Sequence, residues 1–196
     1  MNEELSEEII DSFNKKTFIK EWLSHKYKEK SLALYGLPGT GKTTIADYIL
    51  KDWVKVYIKS DFCKASKNFE DYLNDTLYKK SITMMFNDKI YKSLIIDDIY
   101  YIQINDKKLF KSIIQFSKQK YKNNPIIYIF NTINKNVKII VNKCYPFKID
   151  YTVNFLISIV KKYFLNNFEE KDISELVSRS NSNLHNIKVN IHFYKD

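Results

Sequence analysis

Glycine is scarce in this chain. Of 196 residues only three are glycine, Gly36, Gly39 and Gly41, and all three fall within one stretch of six. A domain of this length ordinarily holds about 14 at the usual ~7%. Its other turns therefore rely on residues such as Asn that tolerate left-handed backbone. Arginine is scarcer still: Arg179 is alone among 32 basic residues. That excludes any mechanism needing several bidentate guanidinium groups, because lysine cannot reproduce the fork. Cysteine is limited to Cys63 and Cys144, far apart and outside any C-x-x-C pair. A disulfide framework and a zinc site are excluded, and an intracellular, reducing compartment (cytoplasm or nucleus) is expected. No apolar run approaches the ~18 residues of a membrane span. The N-terminus lacks the basic-then-apolar order of a secretion signal. There is no internal repeat.

What is present is a core-forming fraction, 44% hydrophobic, with a net charge of +9. The first twelve residues carry Glu3, Glu4, Glu7, Glu8 and Asp11 and no lysine, so the rest of the chain sums to +14. The acidic segment 1–14 reads as a solvated helix. A basic body suggests an anionic partner, most simply DNA met through its backbone. A/T-rich codons would also enrich Lys, Asn, Ile and Tyr, and net charge alone leaves both readings open.

The glycines lie in LYGLPGTGKTT, Leu34 to Thr44. Gly36 to Thr43 has the spacing G-x-x-x-x-G-K-T of a phosphate-binding loop. An apolar run, Leu32 to Tyr35, precedes it and a helix-like run follows, which is the strand–loop–helix context the motif requires. Gly36, Leu37, Pro38, Gly39, Thr40, Gly41, Lys42, Thr43 and Thr44 are then the nucleotide contacts. Backbone amides and the helix start bind anions, Lys42 reaches the β- and γ-phosphates, and Thr43 offers its hydroxyl to Mg²⁺.

Downstream, KSLIIDDIYYI is an apolar strand stopped by two carboxylates. Asp97 is expected to hold Mg²⁺ through water, and Asp98 to orient or deprotonate the attacking water. PIIYIFNT is another strand, ending at Asn131, a candidate γ-phosphate sensor. Val54, Val56 and Ile58 alternate as a strand ending at Ser60-Asp61. A fifth strand is expected around 146–149, and helices over 15–29, 68–86 and 106–120. The alternation predicts an α/β fold, a parallel five-stranded sheet flanked by helices. After Asp150 only helical periodicity follows, over about 152–165, 170–180 and 183–194. The predicted division is 1–150 for the nucleotide-binding domain and 151–196 for a small helical lid.

In this order the elements resemble the AAA+ ATPases, and within them the DNA-replication branch. Lys30 to Thr44, IKSD at 58–61, Asn131 and NKC at 142–144 are similar to replication factor C, the clamp loader. LIIDDI at 94–99 is similar to bacterial replication initiators and helicase loaders, and SNLHNIKVNI at 182–191 fits the last lid helix of either group. The resemblance implies ATP and Mg²⁺ as cofactors, DNA and other AAA+ or replication subunits as partners, and ATP hydrolysis. It places a nucleotide-sensing lid residue at His185, where the family has arginine; Arg179 lies six residues earlier. At Lys143 the clamp-loader subunits have an arginine that acts on the neighbouring subunit's ATP. They also carry a collar domain that these 196 residues do not include. Two further readings are a nucleotide-binding structural subunit that does not hydrolyse, and a small-molecule P-loop kinase with Asp61 as base. Sheet order discriminates the kinase. In AAA+ proteins the strand ending at Asn131 lies between the loop strand and the Asp-Asp strand; in most such kinases those two are neighbours.

Overall fold

The computed structural model describes residues 3–59, 61–62, 68–79, 91–119, 123–163, 170–180 and 183–195. The chain forms two compact units. One is Met1–Tyr35 with Thr43–Phe147, and the other is Gly36–Lys42 with Lys148–Asp196.

The first unit holds the sheet. Its strands are β1 (Ser31–Tyr35), β2 (Val54–Ile58), β3 (Lys92–Ile96), β4 (Ile126–Phe130) and β5 (Cys144–Lys148), whose last residue passes into the second unit. The order is β2-β3-β4-β1-β5, all parallel. Every residue of β3 and β4 is buried, as the apolar runs Leu94–Ile96 and Ile126–Phe130 require when helices cover both faces of a parallel sheet. β2 alternates and leaves Val54 46% exposed, as an edge strand does. β4 stands between β1 and β3. That is the order expected of an AAA+ sheet, and it disfavours the kinase reading.

Local chemistry sets the connections. Helices α1 (Glu3–Ser12) and α2 (Lys16–Ser24) precede β1, and α3 (Lys42–Ile49) follows the loop. The acidic segment is not simply solvated. It forms α1 with Leu5, Ile9 and Ile10 buried, while Glu7 pairs with Lys16 at 2.7 Å and Glu3 with Lys51 at 3.2 Å. Helix α4 (Phe69–Leu73) starts at Asn68, whose side chain accepts from Glu70 N, and runs on as a π-turn over Asn74–Tyr78. The apolar stripe Phe69, Leu73, Leu77 is buried as expected, and residues 80–90 lie outside the described ones. Lys92 opens β3 although it is 8% exposed. Its ammonium donates to the carbonyls of Thr76 (2.6 Å) and Lys79 (2.5 Å), which close the π-turn. Helices α5 (Ile99–Asn105) and α6 (Lys107–Ser117) meet at Asp106, whose carboxylate caps Leu109 N at 2.9 Å. Asn134 caps α7 (Lys135–Val141) by accepting from Asn136 and Val137. The fifth strand begins at Cys144, two residues before its expected start. α7 ends at Val141, so two residues suffice to turn the chain, and Pro146 is tolerated on an edge strand.

The second unit joins the phosphate loop to the C-terminal helices α8 (Val153–Tyr163), α9 (Glu170–Arg179) and α10 (Leu184–Lys195). α8 packs on α9 and α9 on α10. Leu156, Ile159, Val160, Ile173, Val177 and Ile187 are buried.

Candidate nucleotide-binding site

The loop conformation depends on its glycines: all three have positive φ, Gly41 at 80°, and two of them are closely packed as well. Gly36 (φ +156°) lies so close to Ile149 that a Cβ would overlap the Ile149 carbonyl oxygen. Gly39 (φ +75°) is left-handed, and a Cβ there would overlap the Asn183 side chain. Neither position accepts an ordinary side chain.

The carbonyls of residues 36 to 40 are held by donors of the second unit. Lys42, 5% exposed, donates to Gly36 O (3.0 Å) and Leu37 O (2.7 Å), and Thr40 Oγ1 donates to Leu37 O (2.9 Å). Asn183 Nδ2 donates to Pro38 O (3.0 Å), His185 N to Gly39 O (3.2 Å), and the Tyr151 hydroxyl to Thr40 O (2.7 Å). Burial pushes the Tyr151 phenol well above its ordinary pKa, so it remains a donor. No peptide bond here is cis. In a trans peptide the N–H points opposite to the C=O. Holding the carbonyls of Pro38, Gly39 and Thr40 on Asn183, His185 and Tyr151 therefore turns the amides of Gly39, Thr40 and Gly41 away from those partners, as a backbone anion nest requires.

The carboxylates belong to the first unit. Thr43 Oγ1 donates to Asp97 Oδ2 at 2.7 Å, and Asp98 N donates to Asp97 Oδ1 at 2.7 Å. Asp97 follows β3 at its C-terminal end, and its own N–H donates to Ile58 O at 2.8 Å, tying it to β2. Asp98 is half-buried and left-handed (φ 58°, ψ 41°) at the start of α5, and its side chain caps nothing. A residue present only to end a strand and cap a helix would bond the free amides of α5. Burial, and then the negative charge of Asp97, raise the Asp98 carboxyl above the usual carboxylate range.

The other predicted residues differ in placement. Asn131 is half-buried directly after β4 and makes no side-chain hydrogen bond among the described residues. Thr44 is half-buried in the first turn of α3. His185 meets the loop through its backbone N–H, with its side chain exposed. Lys143 is exposed after α7. Arg179 is paired with Glu175 at 2.5 Å within α9. Asp61 is exposed, and Ser60 and Cys63 lie outside the described residues. Tyr151 and Asn183 were not anticipated. The available signal was Asn183 as an N-cap: its Oδ1 accepts from His185 N and Asn186 N, opening α10.

Residues 32–154 match the model of the ATPase family associated with various cellular activities (AAA), and the chain belongs to that family. It is a P-loop ATPase. No curated protein matches the chain. Among solved structures it is similar to that of PCH-2 from C. elegans, at 16% identity and a TM-score of 0.49; the match covers 69% of this chain and 39% of that one. Among the described residues no helix is long and apolar enough to cross a membrane. None of their His, Cys, Asp and Glu side chains gather in a group of three that would hold a metal ion.

Proposed function

We propose that this chain is an ATP-hydrolysing AAA+ switch acting on DNA in replication or repair, most like a minimal clamp-loader subunit. The observation that carries the catalytic part is the Thr43–Asp97 hydrogen bond, 2.7 Å across 54 positions of sequence, with Asp98 beside it. The residues present fit a nucleoside triphosphate with magnesium. A hydroxyl and a carboxylate are the hard oxygen donors that magnesium prefers, and the loop supplies a cation and oriented amides for phosphate. Thr43 and Asp97 would hold magnesium, which when bound would supply charge neutralisation for the phosphates. Lys42 would bind the phosphates, and Asp98 is placed to accept a proton from the attacking water. Asn131 reports on the γ-phosphate. Tyr151, Asn183 and the His185 amide make the phosphate loop part of the helical unit, so that nucleotide ordering the loop also orders those helices.

The DNA part is supported by the basic body and by the replication-type signatures at 58–61 and 142–144. It is tested by ATP turnover with and without primed DNA. Stimulation that disappears in Lys42→Ala supports it; turnover indifferent to DNA, together with no DNA binding, contradicts it. A second reading, a nucleotide-binding subunit with slow turnover, is supported by Arg179 being engaged with Glu175 and by the exposed His185 side chain. Turnover unchanged by Asp98→Asn would favour it.

A further inference from the structure

The net positive charge of this protein is concentrated in one stretch. From Ile99 to Ile149 there are ten lysines and one acidic residue, Asp106. The remaining 145 residues balance 22 cations against 22 carboxylates, so the whole net charge of +9 resides between 99 and 149. Codon bias would enrich lysine along the entire chain. It does not remove carboxylates from one segment.

The structure gathers this segment on packed elements. α5 packs on α6, and α6 on α7. Lys107, Lys108, Lys111 and Lys118 of α6 and its C-cap, Lys135 and Lys138 of α7, and Lys143 beyond it are all exposed. None of these seven is in an ion pair among the described residues. Elsewhere lysines are matched to carboxylates: Lys16 to Glu7, Lys26 to Glu21, Lys51 to Glu3. Lys107, Lys111 and Lys118 are spaced i, i+4, i+11 and form one stripe. Asp106 faces its own helix start, capping Leu109 N. On α5, which packs on α6, two aromatic rings are exposed, Tyr100 at 44% and Tyr101 at 37%. Neither ring stacks on another among the described residues.

We infer that the α5–α6–α7 face binds a single-stranded nucleic-acid segment, its lysines following the phosphates and Tyr100 and Tyr101 stacking on bases. The inference rests on the DNA reading above and names the surface responsible. Unpaired cations spread over several elements suit an extended polyanion, whose contacts release counterions. Exposed rings suit bases that are not already stacked in a duplex, and so favour a single strand. An anionic membrane is a poorer fit, because a surface helix for a bilayer needs a broad apolar face and α5 has seven residues. α5 begins one residue after Asp98, so a strand engaged there bears on the element that carries this carboxylate.

The test is fluorescence anisotropy of a labelled oligothymidine and of a duplex, titrated with the full chain across a salt series. Lys107→Gln/Lys111→Gln/Lys118→Gln is compared with an equal charge change elsewhere, Lys20→Gln/Lys28→Gln/Lys171→Gln. The face triple is expected to lower the slope of log affinity against log salt by about 2, at about 0.7 per phosphate contact on a single strand. The control triple leaves the slope unchanged, and the corresponding arginine triple keeps it, which separates lost charge from misfolding. Tyr100→Ala and Tyr101→Ala are each expected to weaken single-strand binding at least about fivefold at unchanged slope. Equal losses in the face and control triples would overturn the assignment while leaving DNA binding intact. Loss of binding to anionic vesicles in the face triple, with oligonucleotide binding unchanged, would also overturn it. A wild-type protein that turns over ATP but binds no oligonucleotide would remove the DNA reading itself.

Discussion

Asp98 is held in a backbone region that few residues other than glycine enter, and Asp and Asn are among those few. The left-handed φ of 58° gives a physical reason for a short acid here. Asn fits the same backbone, so Asp98→Asn changes the chemistry without adding strain. It is expected to reduce turnover at least about a hundredfold, within the usual range for a lost general base, while nucleotide affinity stays within about twofold. The pH dependence follows from the raised carboxyl. Folding favours its protonated form, so the ionised group costs stability at neutral pH, and that cost is relieved as pH falls through the raised value. Thermal melts without nucleotide should therefore show Asp98→Asn more stable than wild type at pH 7, with the gain shrinking on acidification toward the ordinary carboxylate range. A gain that grew on acidification would contradict this sign. Thr43→Val keeps the shape and removes the hydroxyl bonded to Asp97. Turnover should fall by an order of magnitude or more and become harder to restore with added magnesium. Thr43 and Asp97 were legible in the sequence because each sits in a motif defined by chemistry. The conformation of Asp98 was not, because a single φ angle leaves no mark on composition or spacing.

At the scale of elements, the decisive contact is between the phosphate loop and the start of α10. Asn183 has two tasks: it caps α10 through His185 N and Asn186 N, and it holds Pro38 O. Asn183→Ala should cost about 1 kcal/mol through the lost cap and weaken ATP binding as well, read by melting and by titration with a fluorescent ATP analogue. Stability loss at unchanged affinity would mean that the cap alone matters. Gly39→Ala meets both the left-handed backbone and the seated Asn183 side chain, so it should abolish ATP binding. Most strands and helices were legible, since β4 is an unbroken apolar run and α6 has a strong 3.6-residue stripe; the short helices α5 and α7 were not among those expected. The π-turn after α4 and the early start of β5 were not legible. Both depend on contacts made elsewhere, the Lys92 ammonium in one case and the brevity of the α7 turn in the other. The loop's membership of the helical unit was equally hidden, since it rests on Tyr151 and Asn183, 111 and 145 positions from their partners.

For the whole molecule, the sheet order β2-β3-β4-β1-β5 places the three most buried strands inside and the partly exposed β2 and β5 at the edges. The phosphate loop and the carboxylates both leave the C-terminal ends of their strands, β1 and β3, the end where ligands of parallel α/β sheets bind. The concentration of net charge in 99–149 was open to reading in the sequence, but its meaning needed the packing of α5, α6 and α7. The measurement that tests the account most directly is ATP binding and ATP turnover determined in parallel for wild type, Lys42→Ala and Asp98→Asn. Lys42→Ala is expected to lose both, whereas Asp98→Asn binds ATP like wild type and turns it over at least about a hundredfold more slowly. Full turnover by Asp98→Asn would contradict the assignment of Asp98 as the base, and undiminished ATP binding by Lys42→Ala would contradict the site itself.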